Sequence, residues 1–139
     1  MVLQANYWGL QRLFAPWRLP VDRSGAVAGG LDGLKAHYAQ LSKRWGFDVT
    51  PPESTLNVLG YQILNRDDLQ GALEVFRYNV ELHPDAPNVH DSLGEALERG
   101  GKLPEAFSSY SRAVDKARAL DDPRVDVFKA NRDRLREKL

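Results

Sequence analysis

At 139 residues, 42% hydrophobic and 27% charged, the chain has the make-up of a folded domain whose core needs neither disulfides nor metal. Lys plus Arg and Asp plus Glu number 19 each, which argues against nucleic acid or an anionic membrane as the main partner. The absence of cysteine excludes disulfides, thiolate catalysis and Cys-based zinc sites. The three histidines (His37, His83, His90) form no H-x-x-H or H-E-x-x-H pair, so no metal or cofactor is expected.

Charge is spread unevenly. Residues 1–52 carry six basic and three acidic side chains, residues 53–139 thirteen and sixteen, an asymmetry too mild to name a ligand. Leu3, Tyr7, Leu10, Phe14 and Trp17 recur at helical spacing and predict an amphipathic helix ended by Pro16. Asn6, Gln11 and Arg12 interrupt its apolar residues, so it does not read as a signal peptide, and no run approaches a membrane span. The expectation is a soluble, cytoplasmic chain.

A loop rich in Gly and Pro, Arg18–Gly30, leads to the helical stretch "LDGLKAHYAQLSKRWG", with Leu34, Tyr38, Leu41 and Trp45 on its buried face. "FDVTPPES" then reads as an extended linker, with Ser54 or Thr55 near the start of the next helix.

From there the chain repeats itself. Sliding it by 34 residues lays Ser54–Pro84 over Asn88–Arg118 without a gap: Leu59 meets Leu93, Gly60 meets Gly94, Leu69 meets Leu103, Ala72 meets Ala106, Phe76 meets Tyr110 and Val80 meets Val114. Leu56, Leu59 and Ile63 lie on one helix face, a polar break follows, and Leu69, Ala72, Leu73, Phe76 and Val80 form a second amphipathic run. Gly60 and Gly94 fall in mid-helix, where glycine costs about 1 kcal/mol against alanine; close approach of the partner helix is the expected compensation. Pro84 ends the second helix of its pair. Each repeat is therefore an antiparallel helical hairpin.

Pro123–Leu139 reads as a polar capping helix with Pro in its first turn and a sparse stripe of Val125, Phe128, Leu135 and Leu139. No segment alternates with period two for long. The fold expected is all-α with about seven helices: an N-terminal helical segment and linker (1–52), two repeats (53–118) and a capping segment (119–139).

Period, residue types and spacing resemble the tetratricopeptide (TPR) repeat, through Leu59, Gly60, Ala72, Phe76 and Pro84 in one copy and Leu93, Gly94, Ala106, Tyr110 and Ala113 in the next. Leu56 and His90 replace the usual early aromatic, and Arg118 the closing proline. The stretches "YWGLQRLFAPW" and "GLKAHYAQLSKRWGFDVTPPES", running into "LNVLGYQILN" and later "NVHDSLGEA", are in turn similar to the C-terminal region of a bacterial family of serine esterases. Those proteins carry an α/β-hydrolase domain of the siderophore-esterase and esterase-D kind, followed by TPR-like helices. The resemblance implies a detached tail: the family's catalytic serine and histidine lie upstream of the matching segment, and no G-x-S-x-G occurs here. It implies no catalytic residue in this chain.

His90, Asp91 and Ser92 supply three triad residue types side by side. Successive helical side chains point about 100° apart, so the three cannot face one another. A mid-helix backbone also offers no free N–H groups for an oxyanion. The reading is a helix-contact histidine followed by two surface polar residues.

The resemblance to TPR domains implies instead a concave face built from the first helix of each hairpin, offering Asn57, Tyr61, Asn65, Asn88, Asp91, Glu95 and Arg99. Tyr61, Asp91 and Glu95 stand where a carboxylate clamp would need cations, so the groove suits a neutral or basic protein segment. Self-association is a further expectation, as a homodimer through Tyr7, Leu10, Phe14 and Trp17. The function expected is a non-catalytic interaction module, either an esterase's accessory region or a free-standing adaptor that binds a peptide.

Overall fold

A computed structural model describes residues 17–23 and 25–139. The helix expected over residues 3–16 lies outside the described residues. The chain divides into two compact units, one up to Pro51 and the other Pro52–Leu139.

In the first unit, helix α1 (Gly30–Trp45) starts after Gly29 and stops at Gly46, both in the left-handed region at φ 76° and 74°. Ahead of it the chain doubles back. Asp22 N–H donates to Ala26 O at 2.8 Å and Ala28 N–H to Pro20 O at 2.8 Å, giving one isolated antiparallel bridge between Val21 and Val27. Gly33 is obligatory here, since a Cβ would lie 1.9 Å from the Ala28 carbonyl oxygen. Of the face expected to be buried, Leu34 and Leu41 are fully buried, while Tyr38 and Trp45 are half-buried. Ser42 Oγ accepts the Val49 N–H at 2.8 Å and donates to Tyr38 O at 3.0 Å, fastening the chain beyond the helix end.

The second unit contains five helices: α2 (Glu53–Leu64), α3 (Leu69–Leu82), α4 (Pro87–Arg99), α5 (Leu103–Ala119) and α6 (Val125–Arg136). Each packs on the next, and α2 also meets α4. The described residues thus hold six helices and no strand, and the pairs α2–α3 and α4–α5 form TPR-like hairpins. Helix α2 begins at Glu53, a residue before Ser54, because Pro52 O takes the N–H groups of Thr55 (3.1 Å) and Leu56 (3.3 Å). Helix α6 begins later than its proline suggested. Asp122 Oδ1 accepts the Arg124 N–H at 2.8 Å, so Pro123 sits in a turn and not in the first helical turn.

The mid-helix glycines are explained by rings. A Cβ on Gly60 would lie 2.5 Å from Phe76 Cε1, and one on Gly94 would lie 2.8 Å from Tyr110 Cδ1. The close approach is therefore made by one aromatic side chain of the second helix, at the same place in both repeats. Around these rings Leu64, Ala72, Leu73, Ala96, Leu97 and Ala106 form the core, and Leu135 of α6 enters it. A smaller cluster joins Ala113, Val114 and Ala117 to Phe128. Of the stripe expected on α6, Phe128 and Leu135 are buried and Val125 half-buried, but Leu139 lies past the helix end and is 61% exposed.

The turns repeat as faithfully as the helices. Asp67 (φ 62°) and Gly101 (φ 72°), 34 positions apart, both adopt the left-handed conformation. Their N–H groups return to Leu64 O and Glu98 O at 3.1 and 3.0 Å, and the next residues, Asp68 and Lys102, return to Ile63 O and Leu97 O. Asp121 (φ 50°) closes α5 the same way, with Asp122 N–H on Ala117 O at 2.9 Å. Several buried positions break the symmetry, among them Leu56 against His90, Val75 against Ser109, and Asn79. Asn79 stands where the second repeat has Ala113; its Nδ2 donates to Glu53 O at 3.1 Å and its Oδ1 has no protein partner.

Candidate interaction face

The first helices of the two hairpins, α2 and α4, meet along the face expected to bind. Tyr61 projects from α2 because it lies one helical turn beyond Asn57, and its ring rests edge-on against Phe76 with centroids 5.1 Å apart. Its hydroxyl donates to Glu95 Oε2 at 2.7 Å, with Ser92 Oγ 3.4 Å away. Burial, reinforced by the Glu95 carboxylate, pushes the Tyr61 phenol up to about 12. Glu95 Oε1 in turn accepts from Arg99 Nη2 at 2.8 Å. Tyr61, Glu95 and Arg99 thus form one hydrogen-bonded chain across two repeats. Beside it, Leu64, Asp67, Leu69 and Arg99 line a small cleft of about 150 Å³.

The remaining expected residues are placed differently. Asn57 is half-buried with its Oδ1 sealed and without a protein partner; Asn88 is half-buried in the first turn of α4; Asn65 is exposed at the C-cap of α2. Asp91 is not the free surface residue expected from its sequence. It is partly buried and accepts a hydrogen bond from Asn131 Nδ2 of α6 at 2.9 Å, and burial raises its carboxyl above the ordinary value. Ser92 also departs from expectation: it is 3% exposed, because the α2–α4 contact covers it.

The His-Asp-Ser run is pulled three ways. His90 Nε2 lies 2.8 Å from Pro84 O; a carbonyl only accepts, so that nitrogen carries the proton. Asp91 holds Asn131, and Ser92 faces Tyr61. Among the described residues, no three His, Asp or Glu side chains cluster in a way that could hold a metal ion, and no helix is long and apolar enough to cross a membrane.

Helix α6 contributes groups the sequence did not single out. Arg134 forks onto Glu98, Nη1 to Oε1 and Nη2 to Oε2, both at 2.6 Å; Lys138 Nζ adds 3.0 Å to Oε1, and the Tyr110 hydroxyl donates to Oε2 at 3.0 Å. The Arg134 bonds above all hold the Glu98 carboxyl down to about 2. Burial, then the Glu98 carboxylate, drives Tyr110 upward. Two of the four groups, Glu98 and Tyr110, belong to the repeats, and the other two lie near the chain's end, outside the 34-residue register.

Trp17, the one described member of the expected dimer strip, is 41% exposed with its ring 6.1 Å from that of Trp45. Tyr7, Leu10 and Phe14 lie outside the described residues.

No family model matches the chain. Over 100 residues, 72% of its length, the chain is 26% identical to the tetratricopeptide repeat domain-containing protein PYG7, chloroplastic, of Arabidopsis thaliana, and spans about a third (32%) of that protein. The similarity supports the TPR-like character of the helical repeats.

Proposed function

We propose that this chain is a protein-interaction module of the TPR type, receiving a protein segment on the face that carries Asn57, Tyr61, Asn65, Asn88, Asp91, Glu95 and Arg99. The observation that carries the reading is the Tyr61–Glu95–Arg99 chain, which braces neighbouring first helices and leaves acceptor-rich side chains beside an open cleft. Carboxylates outnumber cations there, which favours a neutral or basic segment over a peptide's terminal carboxylate. Peptides selected on the intact chain by display, then titrated calorimetrically, test this. Basic or neutral binders that lose affinity with Glu95→Lys support the groove; binders indifferent to Glu95→Lys and to Arg99→Glu would remove it.

The finer reading is that the module accompanies an esterase-type hydrolase domain, supported by the likeness of the His37–Gly60 stretch to the region that follows such domains. An in-frame G-x-S-x-G and a histidine upstream in the gene would support it. A native start at Met1 would favour a free-standing adaptor. Homodimerisation through Tyr7, Leu10, Phe14 and Trp17 belongs to the same proposal, and a clean monomer in sedimentation at high micromolar concentration would remove it.

A further inference from the structure

The first unit contains a cleft of about 740 Å³, within the range of small-molecule sites. Arg18 and Pro20 of the loop form one wall. The other is a single stripe of α1, since His37, Gln40, Leu41 and Arg44 follow one another at i, i+3, i+4 and i+7, with Lys43 alongside. In the sequence this helix is marked only by its apolar face.

Among the described residues, the lining carries three cations and no carboxylate. A solvated basic surface is ordinarily interleaved with acids, as on α6, where Arg132, Arg134 and Lys129 all reach acidic partners. In the cleft, Arg18, Lys43 and Arg44 reach no carboxylate among the described residues. The Arg44 guanidinium lies instead 5.9 Å from the centroid of the Trp45 ring, a contact that leaves its N–H edge free to donate. Burial lowers the proton affinity of His37, and its sealed Nε2 has no partner among the described residues. Lys43 and Arg44 lie in the last turn of α1, where the helix dipole itself repels anions. Any anion here must be held by side chains.

We propose that this cleft binds a small phosphate-bearing molecule, with Arg18 and Arg44 donating to its phosphate oxygens, Lys43 adding positive charge, and Leu41 and Pro20 offering apolar surface to the rest of the ligand. Guanidinium groups donate two parallel N–H bonds to a phosphate, a geometry that distinguishes such a site from general cation attraction. The cleft lies wholly within the first unit, so the assignment stands or falls apart from the repeat face.

Calorimetry of the full chain with pyrophosphate at physiological ionic strength, followed in parallel by tryptophan fluorescence, tests it. The expected result is saturable one-to-one binding that weakens about tenfold or more in the Arg18→Gln/Arg44→Gln double variant. Lys43→Gln should show a smaller loss and Arg77→Gln, outside the cleft lining, none, with circular dichroism confirming that each variant is folded. No binding, or binding equal in wild type and double variant, would overturn the assignment. Co-sedimentation with phosphatidylglycerol–phosphatidylcholine vesicles separates the sources of phosphate. Vesicle binding that depends on Arg18 and Arg44, in a protein that ignores pyrophosphate, would overturn the small-molecule ligand in favour of a lipid surface.

Discussion

Tyr61 and Glu95 occupy the same position in successive repeats, 34 residues apart, and the phenol of one donates a 2.7 Å bond to the carboxylate of the other. Each repeat therefore presents at this place one half of a contact that only stacking completes. Tyr61→Phe removes the donor while Glu95 keeps Arg99 and solvent, so no charge is stranded. The expected cost is about 1 kcal/mol in denaturant unfolding. The phenol's proton affinity is raised in the folded state, from 10.0 to about 12. Its contribution is then present in full below pH 10 and fades as pH rises toward 12, so wild type and Tyr61→Phe should converge in stability over that window.

Gly60→Ala and Gly94→Ala should both destabilise, although alanine is the better helix former by about 1 kcal/mol. The added methyl would meet Phe76 at 2.5 Å or Tyr110 at 2.8 Å, and overpacking of this kind costs about 1–3 kcal/mol. The loss should be larger at Gly60. Pairing Gly60→Ala with Phe76→Leu should recover part of it, as a double-mutant cycle by urea unfolding would record.

Acid should loosen the end of the array first. Glu98 is depressed from 4.5 to about 2 in the folded chain, so its stabilising effect is present above pH 4.5 and is lost as pH falls through about 2. Arg134 and Lys138 are roughly half exposed, which screens the pairing to about 1 kcal/mol. Glu98→Gln should lower stability by that amount at neutral pH and lose less on acidification than wild type. Thermal unfolding across pH 2–7 would show the two curves drawing together.

Asp67→Gly should stabilise by about 0.5–1 kcal/mol, because Asp67 is held at φ 62° while its equivalent in the next repeat is already glycine. Chemical denaturation of the single variant checks this, with Gly101→Asp as the reciprocal loss.

The repeat was legible because its constraints are steric and local. A glycine facing an aromatic ring 16 residues on leaves a mark in composition that no alternative helix would need, and the mark occurs twice. The left-handed turn at Asp67 was half-visible, through its match to Gly101 in the polar break, since aspartate hides a conformation that glycine advertises. The partners of Asp91 and Glu98 were not legible. Asn131 and Arg134 follow a helix, α5, that runs to 17 residues where α3 has 14. That difference shifts α6 out of the 34-residue register, so no alignment could pair it with α4. The cleft on α1 escaped for another reason. Arg18 joins the α1 stripe only through the doubling back in which Ala28 N–H meets Pro20 O, and nothing periodic announces it.

In the second unit the main packing partners are also neighbours along the chain; contacts that skip a helix join α2 to α4 and, through side chains, α6 to α4. Such wiring has a kinetic meaning. Either hairpin can form before the other exists, because neither waits for a distant segment to diffuse into place, and loop-closure entropy is lost in small instalments. Unravelling follows the same order in reverse. Helix α6 is tied in by Leu135, Phe128 and the fork on Glu98, so its release breaks contacts with both α4 and α5 at once.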